Sequence, residues 1–305
     1  MMSLSIKQAA QILRNGGLVA FPTETVYGLG ANALDPAAVQ RIFELKRRPA
    51  TSPLIVHVAS VEMARRIVAE WPPLAEELAR RWWPGPLTMV LSKQDSCPVN
   101  VTAGLLTVGV RMPNHPMALE LIDKAGVPVA APSANRFTGL SPTTAEHVKA
   151  AFGDAVPVLD GGPCTVGIES TVVAIEGGQL KLLRPGMISL GEIKRAAAQG
   201  AGTPHPAPGM HEKHYSPRTR LILVRGPAEL PDRTGAYVWR VAPAEYAAAT
   251  RLVRMPLDAA PYAAELYRVL HQLDAENWPW IAVEMPPDAP DWAAIRDRLQ
   301  RAAGR

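Results

Sequence analysis

Short apolar runs alternate with amphipathic stretches along the chain, and the two periodicities predict strands and helices in mixed order. Ser5 caps a first helix with Ile6, Ala9, Ala10 and Leu13 on one face and Gly16-Gly17 as its stop. The run Leu18-Val-Ala-Phe21 predicts a buried strand ending at Pro22. A polar rim of hydroxyls and one carboxylate follows, and Gly28 and Gly30 predict a tight turn or a close approach to a ligand. Asp35-Pro36 opens a second helix, a capping carboxylate before a proline at the first helical position. That helix ends near Pro49 with Lys46, Arg47 and Arg48 in its last turn, where cations suit the helix dipole. Strands are predicted over 53–58, 87–91, 107–112, 127–131 and 156–159, with a hairpin over 170–183 around Gly177-Gly178. Helices are predicted over 61–70, 74–83, 115–125 and 190–198, and one more from Ser141.

Strict strand–helix alternation is absent from this order. The expected fold class is therefore α/β of the mixed kind: a twisted mixed sheet with helices packed on it. Residues 200–208 are rich in Gly, Pro and Ala and read as a linker. Beyond it, strands over 221–224, 236–241, 251–255 and 281–284 with helices over 262–273 and 292–303 predict a smaller α/β, Rossmann-like unit. The expected division is 1–200 for the larger domain, 201–218 for the connection and 219–305 for the smaller domain.

Composition narrows the picture only in part. With 305 residues, 48% hydrophobic and 20% charged, the chain is globular and long enough for two domains. A net charge of +4 suits a phosphate-bearing ligand and is too small for a dedicated nucleic-acid binder. Two cysteines, Cys97 and Cys164, support no disulfide framework or thiolate metal cluster. The polar N-terminus and the lack of a long apolar run lead to the expectation of a soluble, cytoplasmic protein with no membrane contact.

Two motifs mislead. Gly28-Leu-Gly-Ala-Asn-Ala33 fits the letters of a dinucleotide fingerprint, but the helix starts only after Asp35 and no acid stands at the expected offset. His211, Glu212 and His214 do not match a zinc-protease spacing, and His205 lies in the linker, so no dedicated metal site is expected. A nucleotide triphosphate, by contrast, needs cations and neutral donors around its phosphates. Lys46, Arg48, Arg111 and Arg184 offer the former and Ser52, Ser133, Asn135 and Ser141 the latter, although any one of these arginines taken alone reads equally as half of a surface ion pair.

Three stretches in order carry a resemblance: Phe21-Pro-Thr-Glu-Thr-Val-Tyr-Gly-Leu-Gly30, Leu45-Lys-Arg-Arg-Pro49 leading into Pro53-Leu-Ile-Val-His-Val58, and Val129-Ala-Ala-Pro-Ser-Ala-Asn135. Together they resemble the YrdC-like family, the threonylcarbamoyl-AMP synthases, over about the first two-thirds of the chain. The remainder resembles the extra domain of the family's longer form. The resemblance implies an enzyme that condenses L-threonine, bicarbonate or carbon dioxide, and ATP into threonylcarbamoyl-AMP with release of pyrophosphate. The product serves threonylcarbamoyladenosine modification of tRNA. It implies threonine contacts at Thr25, His57, Arg111, the backbone of Ala131, and Thr171. It implies ATP contacts at Arg48, Ser52, Thr107, Ser133, Asn135, Ser141, Arg184 and Tyr215, with Lys46 and Arg48 in the catalytic role. Mg²⁺ is expected to arrive with the ATP phosphates, and the implied partners are tRNA threonylcarbamoyl-transferase proteins and a weak tRNA contact. The segment Pro208-Gly-Met-His-Glu-Lys-His-Tyr-Ser-Pro217 resembles the longer form's interdomain connection, read here as a lid that brings Tyr215 to the nucleotide. Two alternatives stand beside this reading. One is an RNA-binding module with a basic concave surface and no turnover. The other is a carbamoyl-transfer domain of hydrogenase maturation, whose much longer chain and zinc-finger-like cysteines are not found here.

Overall fold

The computed structural model describes residues 4–177, 179–196, 215–231, 234–241 and 251–304. Helix α1 (Ile6–Arg14) begins at Ser5, which forms a reciprocal capping box with Gln8. Strands β1 (Val19–Phe21) and β2 (Gly28–Asn32) follow, then α2 (Pro36–Lys46), whose first amides are held by the Asp35 carboxylate. Next come β3 (Ile55–His57), α3 (Val61–Ala64), α4 (Pro73–Trp82), β4 (Leu87–Ser92), α5 (Val99–Thr102), β5 (Thr107–Arg111), α6 (Pro116–Ala125), β6 (Val129–Ala130) and α7 (Ala145–Phe152). The hairpin β7 (Thr171–Glu176) and β8 (Gln179–Arg184) and helix α8 (Leu190–Ala196) end the larger domain. The smaller one holds β9 (Leu221–Val224), β10 (Ala236–Trp239), β11 (Arg251–Arg254), α9 (Ala259–Ala275), β12 (Ile281–Glu284) and α10 (Ala293–Ala302).

The larger sheet runs β1-β2-β6-β3-β5-β4-β7-β8. β3–β5 and β4–β7 are parallel and the other junctions antiparallel, so the sheet is mixed. The smaller sheet, β11-β10-β12-β9, is parallel throughout. The apolar core of that second unit takes in Val26, Leu140 and Ile168 of the first. Gly167 lies against α9 in the left-handed region at φ 78°, where a Cβ would fall 2.5 Å from the Ala264 backbone. His147 of α7 stacks on His271 of α9 with ring centroids 3.9 Å apart. Among the described residues, no helix is long and apolar enough to cross a membrane.

Several elements differ from expectation. Gly28 and Gly30 form no turn; both lie inside β2, paired with Phe21 and Val19, and Gly28 lines the cleft described below. A Cβ on Gly30 would stand 2.8 Å from the Phe21 ring and 2.9 Å from Val129, so the glycine makes room for an aromatic ring across the strand pair. The helix expected over 61–70 keeps one turn, α3. The strand expected over 156–159 reduces to a single bridge between Ala20 and Val158. The four-residue α5 had no periodic signal to announce it. Gly178, the end of the helix expected over 190–198 and the linker to residue 214, with His205, His211, Glu212 and His214, lie outside the described residues.

Candidate active site

The parallel pair β3–β5 sets His57 directly beside Arg111, each the last residue of its strand. Both line a cleft whose wall also holds Thr25, Arg48, Ala131, Ser133, Arg184 and Tyr215. Ligands of α/β sheets collect at such strand ends.

One side of the wall is the segment between β1 and β2. The Thr23 hydroxyl donates to the Val26 carbonyl at 2.7 Å and accepts from the amides of Thr25 and Val26, which folds the segment into a compact loop. Arg111 then ties this loop to β5. Its Nη1 donates to Thr25 Oγ1 at 2.8 Å, its Nε donates to the Gly85 carbonyl at 3.2 Å, and its Nη2 lies 2.7 Å from the Glu24 carboxylate. Both members of that ion pair are buried. His57 meets the edge of the Phe21 ring, and burial, with Arg111 adding to it, lowers its pKa to about 3. The imidazole is therefore neutral at neutral pH, and its Nδ1 has no hydrogen-bond partner among the described residues.

A second side comes from the loop after β6. Ala131 donates its amide to the Ile55 carbonyl, and Leu29 and Ala134 bond across to Pro132 and Tyr27, so the loop is stitched to β2 and β3. Lys46 does not line the cleft. Its ammonium is buried and donates to the Ser133 carbonyl at 2.6 Å and to the Asn135 carbonyl, holding the loop from behind. Burial, reinforced by Arg48 and Arg136, holds its pKa well below the ordinary lysine value. Asn135 likewise faces away, donating to the carbonyls of Arg136 and Gly139. Arg48 stands past the left-handed Arg47 and does reach the cleft. Its guanidinium donates to the carbonyls of Ser52 and Pro53, and desolvation lowers its pKa to about 10.

The third side joins the domains. Arg184 donates to the carbonyl and hydroxyl of Ser170 at 3.0–3.1 Å. Glu169 accepts from the Ser141 hydroxyl at 2.5 Å, from Tyr267 at 3.2 Å and from Arg298 Nε at 2.7 Å. Burial works against its ionisation, yet Arg298, Arg184 and the Ser141 donor hold its carboxyl below the usual range.

Of the expected site residues, eight share this wall and six lie behind or beside it. Lys46 and Asn135 brace the loop, Ser52 offers its carbonyl to Arg48, and Ser141 is bound to Glu169. Thr171 exchanges hydrogen bonds with Ile188, and Thr107 lines a smaller adjoining cavity that shares Pro53, Leu54 and Ile55 with the cleft. Glu24, Glu169, Ser170 and Arg298 were not foreseen as site residues. Arg298 did leave a signal, since it falls between Ile295 and Leu299 on the apolar face of α10.

Comparison with known proteins gives the family. Residues 11–186 match the Sua5/YciO/YrdC family, described as telomere recombination, and residues 183–304 match the threonylcarbamoyl-AMP synthase C-terminal domain. A threonylcarbamoyl-AMP synthase of Pyrococcus abyssi is 41% identical over 98% of this chain and 94% of its own. One of Bacillus subtilis is 39% identical over 98% and 93%. The crystal structure of P. abyssi Sua5 complexed with L-threonine is similar with a TM-score of 0.89 at 38% identity, covering 98% of this chain and 94% of that one. The chain belongs to the threonylcarbamoyl-AMP synthase family, in its two-domain form.

Proposed function

We propose that this chain condenses L-threonine, bicarbonate or carbon dioxide, and ATP into L-threonylcarbamoyl-AMP and pyrophosphate. The observation that carries the reading is the convergence of Arg48, Arg111 and Arg184 on one cleft beside a neutral imidazole. In the reaction, the neutral threonine amine adds to carbon dioxide and sheds a proton, or adds to bicarbonate with loss of water, and becomes a carbamate. A carbamate oxygen then attacks the α-phosphorus of ATP, the bond to the bridging oxygen breaks, and pyrophosphate leaves. The chain's work is to position three reactants and balance the charge that moves between them. Arg48 and Arg184 face the triphosphate, with Ser133 and Tyr215 as neutral donors. Arg111 and Thr25 face the threonine carboxylate and hydroxyl, and uncharged His57 leaves the amine free of a repelling cation. Mg²⁺ would enter bound to the phosphates and offset their charge. Glu169 on the wall is paired with Arg298, and Glu24 behind it with Arg111. The adenylate passes to the transferase proteins that modify tRNA in the cytoplasm.

The test is pyrophosphate release from ATP with threonine and bicarbonate omitted in turn and no tRNA added. Release should need both. Release that continues unchanged without threonine would overturn the reading.

A further inference from the structure

Among the described residues, Arg298 is the largest side chain with less than 2% exposure, and it belongs to the smaller domain. On α10 it occupies a position where the helical period calls for an aliphatic residue. Its guanidinium instead reaches across the domain junction to three separate segments. Nε donates to Glu169 Oε2 at 2.7 Å, Nη2 donates to the Pro185 carbonyl at 3.0 Å, and the guanidinium plane lies 5.2 Å from the centre of the Tyr215 ring. Nη1 is paired with the neighbouring Asp297 carboxylate at 2.5 Å. Glu169 and Tyr215 line the cleft, and Pro185 directly follows Arg184, which also lines it. Burying a charge costs several kcal/mol that pairing must offset, and domain docking alone is served as well by a leucine.

We propose that Arg298 is a positioning residue for the nucleotide end of the cleft, holding Tyr215, Glu169 and the segment after Arg184 in one arrangement from the second domain. This rests on the proposed function for the identity of the nucleotide. Two further contacts explain what is held. Tyr215 has φ 62°, a left-handed conformation that costs free energy for a side chain bearing a Cβ, so it persists only where contacts enforce it. The Ser216 amide donates to the Thr138 carbonyl at 2.9 Å, which fixes Tyr215 against the loop that leads to Ser141. Glu169 extends the grip to Ser141 through its other oxygen. A lysine at 298 would supply charge without the planar fork that serves the Glu169, Pro185 and Tyr215 contacts together.

The experiment uses the full chain and its Arg298→Ala and Arg298→Lys variants. Without ligand, amide hydrogen exchange is followed at Ser216 and in the β3–β5 strands. Dissociation constants are then measured calorimetrically for a non-hydrolysable ATP analogue and for L-threonine. Arg298→Ala should accelerate exchange at Ser216 while leaving β3–β5 protected. It should weaken the nucleotide by at least about tenfold and threonine by less than about threefold, with Arg298→Lys recovering part of the nucleotide affinity. Equal weakening of both ligands, or unchanged nucleotide affinity, would overturn the positioning role. If the unmutated chain binds no ATP analogue, the proposed function fails instead, and the exchange at Ser216 alone decides: unchanged exchange overturns the inference.

Discussion

At the residue scale, Arg111 ties the fold to the proposed chemistry through one side chain. Its buried pairing with Glu24 means that Arg111→Ala strands a carboxylate in the interior. The expected cost is about 3–5 kcal/mol of stability, read by denaturant titration. Arg111→Lys keeps a cation beside Glu24 but loses the fork that also serves Thr25 and Gly85. It should stay folded and raise the KM for threonine more than that for ATP, and equal shifts in steady-state kinetics would count against the assignment. Ser133→Ala should do the reverse, weakening ATP use with the unfolding midpoint nearly unchanged, because Ser133 contributes its carbonyl, not its hydroxyl, to the Lys46 contact. The resemblance names Arg111, His57 and Thr25 together, and the structure sets all three on one wall; the apolar runs alone would leave His57 a core residue. The bond from Arg111 to Thr25 spans 86 residues, and no local pattern encodes such a pairing.

At the scale of elements, β2 is the most exposed to error. Gly30 is pressed between the Phe21 ring and Val129, so Gly30→Ala should cost about 1–3 kcal/mol in a denaturant titration. Gly28 is less confined, with its nearest atoms at 3.2 and 3.3 Å, and Gly28→Ala should cost less. Because the Pro132 and Ala134 backbones bond to residues 29 and 27, a shift of β2 also moves the loop that carries Ser133. The caps at Ser5 and Asp35 were readable, since the donors they satisfy lie within three residues. The strand role of Gly28 and Gly30 was not, because it depends on a ring from the neighbouring strand. Lys46 was misplaced for a similar reason. Its motif announces a cation near the site but not that the ammonium turns back to two carbonyls of the loop.

At the scale of the whole molecule, the junction between the domains includes a stacked pair of histidines, His147 and His271. Burial, with His271 adding to it, depresses His147 from its ordinary 6.5 to about 4, and burial also depresses His271. Glu146 and Asp274 pull upward on the two rings, Arg268 pushes His147 down, the Ser141 carbonyl partners His271 and Thr143 partners His147. Between pH 6.5 and 4 the unfolded chain takes up protons that the folded chain refuses, so stability should fall across that window, and His57, lowered to about 3, with Glu169, held below the usual carboxylate range, continues the fall below it. Thermal unfolding measured from pH 7 to 4 checks the sign. The two-domain plan was visible from the Gly- and Pro-rich stretch and the return of strand patterns after it, whereas the contacts that join the units come from residues far apart in the chain. The apolar core that takes in Val26, Leu140 and Ile168 carries a consequence for cooperativity. A boundary drawn along the chain need not be a boundary in melting: scanning calorimetry should give one transition for the intact protein. A chain cut after residue 196 should melt lower and self-associate through the uncovered face, so that the second domain acts as part of the first domain's interior.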